Sequence, residues 1–130
     1  MTDASDTPLA TRTQALAGGV EAPDETATVA VVDVARPEVC SGALIAPNLV
    51  VTARHCVADY TFTECGSSGF GAILPPSDLV VSGQARVSFP PTSSTGVAQI
   101  IVRNDDHFCD NDIALIILDA PMEGVAPYVP

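Results

Sequence analysis

Two side chains in this sequence, His55 and Asp112, have the types and settings that proton-transfer chemistry requires. A hydroxyl that attacks a carbonyl needs a base to take its proton, and that base needs a carboxylate to hold it in one tautomer. His55 falls in Val51-Thr52-Ala53-Arg54-His55-Cys56, directly after an apolar run and beside a cysteine whose disulfide would anchor the turn presenting the ring. Asp112 falls in Asp110-Asn111-Asp112-Ile113-Ala114-Leu115, just ahead of another apolar run, and is therefore expected at the start of a strand.

The elements that must hold these groups are short and β-branched. Apolar runs at 28–34, 42–46, 49–52, 79–82, 97–102 and 113–118 are mostly bounded by Pro, Gly, Asn or Asp, which reads as six strands. Nothing repeats at helical spacing, and no longer internal repeat is visible. An all-β domain follows, closed or nearly closed into a barrel so that no strand edge is left exposed. Residues 53–77 contain Glu64-Cys65-Gly66-Ser67-Ser68-Gly69 and Pro75-Pro76. They are expected to be mostly surface loop, with one short helical turn around His55.

At 130 residues the chain has the size of one domain. Its formal charge of −11, from 16 acidic and 5 basic residues, opposes a phosphate backbone and an anionic membrane surface. Neither nucleic acid nor membrane is expected as a partner. Pro47, Asn48 and Arg54 interrupt the longest apolar stretch well short of the roughly 20 residues that span a bilayer. Residues 1–10 lack the basic start and apolar centre of a signal peptide, while four cysteines suit two disulfides. The expectation is a secreted or periplasmic protein whose leader is missing from this sequence. Four thiols in a reducing compartment is the other reading of the same count.

Competing assignments for the polar residues are weaker. Asp105, Asp106, Asp110 and Asp112 lack the ordered spacing of a calcium loop and read as a solvated acidic segment. The cysteines show no paired spacing for zinc, so neither metal nor cofactor is expected. His107, in a polar loop, reads as merely exposed. Ser67 and Ser68 belong to a Gly-rich surface loop and lack the setting of a nucleophile.

Taken together, Cys40-Ser41-Gly42-Ala43-Leu44-Ile45 and Val51-Thr52-Ala53-Arg54-His55-Cys56 resemble the first-barrel signature of the chymotrypsin/trypsin-like serine protease family. Asp112-Ile113-Ala114-Leu115 is similar to its aspartate motif, and Leu16-Ala17-Gly18-Gly19-Val20-Glu21-Ala22 to its mature amino terminus. The resemblance spans about residues 16 to 128. It implies the family's amino-terminal six-stranded antiparallel Greek-key barrel over 16–120, without the second barrel. A flexible leader or propeptide-like segment would occupy 1–15 and an interdomain linker 121–130.

Carried over, the resemblance makes His55 the general base and later general acid, and Asp112 the residue that orients it. It pairs Cys40 with Cys56, a bridge worth roughly 3 kcal/mol in the chain-entropy model. Cys65 and Cys109 then remain for a second bridge. Leu16 becomes the candidate amino terminus after activation, although Ala15 stands before it where a trypsin-type activator needs Lys or Arg, and Arg12 is out of register. Arg54 occupies a position where the family has a small residue, so this long cation is expected to snorkel outward or to disturb the site.

The family's nucleophilic serine sits in a Gly-Asp-Ser-Gly-Gly-type loop of the second barrel, and no such segment occurs in these residues. The resemblance therefore implies half of a serine endopeptidase, inactive alone. Its partners would be a carboxy-terminal barrel, from the same precursor or a second chain, and a peptide or protein substrate. Two alternatives use the same residues: a non-catalytic interaction module derived from such a protease, and a regulatory protease of this fold working inside a cell. Thiol titration of the denatured, unreduced protein separates the compartments. Two bridges leave no reactive sulfhydryl, whereas four free thiols would place the chain in a reducing compartment.

Overall fold

Each of the six apolar runs forms a barrel strand, and among the described residues two further short strands lie between the third and fourth of them. A computed structural model describes residues 19–22, 26–61 and 69–129. Its strands are β1 (Thr28–Asp33), β2 (Glu38–Ala46), β3 (Leu49–Thr52), β4 (Ala58–Tyr60), β5 (Phe70–Ile73), β6 (Leu79–Ser82), β7 (Thr95–Val102) and β8 (Ala114–Leu118). The expected leader at 1–15 and Leu16 lie outside the described residues, as do Cys65, Ser67 and Ser68.

The barrel closes in the order β1-β2-β3-β8-β7-β6, with β6 returning to pair with β1 and every neighbouring pair antiparallel. The first three strands follow one another directly. The chain then makes a long excursion and re-enters as β6 beside β1, which is the Greek-key connection.

Alternation along each strand separates core from surface. In β8, Ala114, Ile116 and Leu118 face inward, while Leu115 and Ile117 are half-exposed. They meet Val31, Leu44, Val50, Val81 and Val97 in one cluster that contains no buried aromatic ring. Sheet closure is what allows so few aromatics to suffice, because small branched side chains fill a narrow interior. In β7 the simple alternation fails: the register to β8 shifts between Val97 and Gln99. That bulge lets both Val97 and Ile100 point inward from positions of opposite parity.

Strand ends differ from the sequence expectation where polar residues carry the ladder. β2 begins at Glu38, not 42, because residues 38–41 pair with β1 despite their exposed or half-exposed faces. β1 stops at Asp33, whose Oδ1 accepts the backbone N–H groups of Ala35 and Arg36 at 3.0 and 3.1 Å and turns the chain. The described residues from 53 to 78, which are 53–61 and 69–78, are less loop-like than their composition suggests. They hold a 3₁₀ turn at Arg54–Cys56, another at Pro76–Asp78, and the two-stranded sheet β4–β5. Strands of three and four residues are too short for a periodic signal.

After β8 the chain lies back on the barrel. The N–H groups of Met122 and Tyr128 donate to the carbonyls of Pro47 and Leu44, at 2.8 and 2.9 Å, and Met122 and Val125 pack against the core. Gly124 adopts φ +76°, a left-handed turn that suits glycine, and lies within this return path.

β2 and β3 approach most closely at Gly42. A Cβ there would lie 2.8 Å from Val50 Cγ1 and 3.1 Å from the carbonyl oxygen of Val51, and the backbone atom has no freedom to yield. Gly42→Ala is expected to lower unfolding stability by about 1–3 kcal/mol, the range for overpacking. A urea melt checks this, and an unchanged midpoint would show that the strands tolerate the methyl group.

Candidate active site

β3 and β8 pair with Thr52 opposite Ala114, so the end of one strand and the start of the other share a barrel rim. His55 follows β3 by one 3₁₀ turn, and Asp112 stands two residues ahead of β8. Residues 57 positions apart in sequence therefore meet. The backbone N–H of His55 donates to Asp112 Oδ1 at 2.8 Å, and His55 Nδ1 lies 2.7 Å from Asp112 Oδ2.

This two-point contact fixes both the position and the orientation of the imidazole. Each carboxylate oxygen has its own partner, one on the main chain and one on the ring. A proton held on Nδ1 by the carboxylate leaves the lone pair on Nε2, the nitrogen that can act as a base. The side chains are 40% exposed for His55 and 28% for Asp112, so the ring remains accessible while its anchor is partly shielded.

The turn bearing His55 is secured on three further sides. Cys56 is disulfide-bonded to Cys40 of β2. Thr52 Oγ1 donates to the Ser41 carbonyl at 2.8 Å, and Tyr60 of β4 meets the imidazole edge-on at 5.6 Å between ring centres. Beside the ring is a cleft of about 320 Å³ lined by residues including Glu38, His55, Cys56, Tyr60 and Leu74. Cys40, Cys56 and His55 bring three potential metal-ligating atoms within 4.8 Å of one another. Both sulfurs, however, are committed to the disulfide, and the group offers no thiolate.

Arg54 corrects the sequence expectation. Its side chain neither snorkels outward nor displaces His55; it is buried, with 5% of the residue exposed. The guanidinium lies 4.5 Å above the Phe70 ring, and its Nη1 donates to the carbonyls of Asp105 and Arg103 at 2.6 and 3.4 Å. A planar, weakly hydrated guanidinium stacks on an aromatic face in a way that compensates burial, and loop carbonyls meet two of its donors.

The loop before Asp112 is shaped by its own side chains. Asp110 takes a left-handed conformation, φ +59°, which Asp tolerates better than most residues. Asn111 is buried, and its amide donates to the carbonyls of His107 and Asp105, at 2.9 and 3.2 Å, and to the Asp105 carboxylate. His107 is exposed, in keeping with its polar surroundings in the sequence. Cys109 is disulfide-bonded, and its expected partner Cys65 lies outside the described residues.

The structure brings the sequence candidates His55 and Asp112 together and bonds Cys40 to Cys56. Sequence reasoning did not single out Tyr60, Phe70 or Phe108, nor the inward course of Arg54. Phe70 stacks on Phe108 at 5.0 Å, and Phe108 lies 6.3 Å from Tyr60. An aromatic path thus leads from the guanidinium back to the imidazole. The single aromatics that form it are scattered along the chain with no local pattern to announce them.

The Trypsin family model matches residues 16–129, and the chain belongs to that family. No curated protein matches the chain. The closed six-stranded antiparallel barrel accords with a single trypsin-like barrel.

Removing the Cys40–Cys56 bridge by a Cys40→Ser/Cys56→Ser double change is expected to lower stability by roughly 3 kcal/mol, given the 16-residue separation. Urea unfolding of the variant beside the parent measures the loss. A difference within error would mean that the barrel holds the turn unaided.

Proposed function

We propose that this chain is the amino-terminal half of a trypsin-like serine endopeptidase and supplies the base and the orienting carboxylate of its catalytic triad. The observation that carries the proposal is the two-point contact of His55 with Asp112 at the barrel rim, in a chain of the trypsin family. The hydroxyl nucleophile comes from a serine in a second barrel, provided by the same precursor or by another chain. That serine attacks the carbonyl of a peptide or protein substrate. His55 Nε2 takes the hydroxyl proton and later delivers it to the leaving amine.

Asp112 holds the ring in the reactive tautomer and stabilises the imidazolium as it forms. It accepts from both the ring and the main chain. The donors that stabilise the oxyanion and the pocket that reads the substrate belong to the second barrel, and the chain by itself is inactive. Residues 121–130 lead towards that barrel, and activation releases a new amino terminus at Leu16.

The disulfide at the His55 turn favours an oxidising compartment and hence a secreted or periplasmic enzyme. No helix among the described residues is long and apolar enough to cross a membrane. The acidic charge supports protein, not nucleic acid, as the macromolecular partner.

The isolated 130-residue chain is expected to show no turnover of peptide esters. Mass spectrometry of material purified from its source should find a linked or co-purifying serine-bearing segment. In that completed protein, His55→Ala should reduce ester hydrolysis by roughly 10⁴-fold or more. Unchanged turnover would remove His55 from the reaction. A purified protein with no serine-bearing segment would favour a non-catalytic interaction module.

A further inference from the structure

We propose that Arg54 and Asn111 are positioning residues, which hold His55 and Asp112 in register by gripping one carbonyl oxygen, that of Asp105. Arg54 immediately precedes His55, and Asn111 immediately precedes Asp112. The Arg54 guanidinium donates to the Asp105 carbonyl at 2.6 Å and the Asn111 amide at 3.2 Å. The neighbours of the two paired residues thus converge on a single acceptor, and the 3₁₀ turn and the aspartate loop become one unit. This inference rests on the reading of His55 and Asp112 as a working pair.

Three features set the clamp apart from ordinary loop packing. Both side chains are buried, at 5% exposure for Arg54 and 3% for Asn111, and each keeps one polar atom without a hydrogen-bond partner, Arg54 Nε and Asn111 Oδ1. The Phe70 face and the loop carbonyls offset part of the cost of burying the cation and the amide, and the unpartnered Arg54 Nε and Asn111 Oδ1 leave the rest. Each also makes a second contact to the same loop, Arg54 to the Arg103 carbonyl and Asn111 to that of His107. Finally, the Arg54 guanidinium carbon sits over the Phe70 ring at 4.5 Å from its centre, and Phe70 continues through Phe108 and Tyr60 to the imidazole itself. The cation beside the histidine is therefore built into the site from below.

The direct report of register is the pair of contacts between His55 and Asp112. In the full chain, amide exchange at His55 reads the bond from its N–H to Asp112 Oδ1, and the proton NMR signal of His55 Nδ1–H reads the ring contact. Arg54→Met keeps an apolar chain over Phe70 and removes the donors. It is expected to speed exchange of the His55 amide by about tenfold and to broaden the ring signal, with the amides of Val50 and Ile116 unaffected.

Arg54→Lys, which keeps a donor for the Asp105 carbonyl, should recover part of the protection. Asn111→Ala should reproduce the local loss, and combining it with Arg54→Met should depart from the sum of the two, because both variants act on the same carbonyl. Unchanged His55 signals in Arg54→Met and Asn111→Ala would overturn the proposal. So would losses shared equally by Ile116, which would mark a structural role only. These readouts need no turnover, so they stand or fall separately from the loss of hydrolysis in His55→Ala.

Discussion

The β3–β8 ladder is the constraint on which the site depends. Its register, Thr52 opposite Ala114, decides that the chain leaving β3 and the chain entering β8 meet at one rim. A slip of one residue would send every side chain of one strand to the other face and separate the core from its partner. The inward-facing Val50, Ala114, Ile116 and Leu118 make that slip unfavourable. Hydrophobic burial in the barrel therefore sets the distance between an imidazole and a carboxylate that lie outside it.

Around that rim the protein uses polar groups for aim, and apolar groups for position. The disulfide to Cys40 ties the His55 turn to β2, while Thr52 reaches across to the Ser41 carbonyl of the same strand. On the other side, buried donors from Arg54 and Asn111 draw the aspartate loop inward. Asp112 then closes the connection by accepting from the main chain and the ring of His55 together. Because the carboxylate is bound at both oxygens, it has little freedom to rotate away from the ring. The strand framework alone would leave that freedom open.

Arg54 shows how burial reverses a local expectation. An arginine beside an exposed histidine suggests a chain reaching for water, since nothing nearby in sequence offers it a partner. Its partners are Phe70 and the carbonyls at 103 and 105, brought to it by the excursion through β4–β5 and by the end of β7. The same excursion delivers Tyr60 to the edge of the imidazole. An acidic, aromatic-poor chain concentrates several of its few rings here, away from its main core.

Local sequence was sufficient for the elements whose side chains all serve one purpose. The runs at 49–52 and 79–82 match β3 and β6 because β-branched residues bounded by turn formers fit a half-buried strand and little else. The meeting of His55 with Asp112 and the Cys40–Cys56 bridge were legible through motif resemblance, which ties those residue types to a narrow setting. The polar start of β2, the bulge in β7 and the β4–β5 pair were not, because their pairing is satisfied by backbone groups that every residue carries. The inward turn of Arg54 and its shared hold with Asn111 on the Asp105 carbonyl belong to the tertiary structure alone. A main-chain oxygen has no identity in the sequence, and only the folded chain brings two distant donors to it.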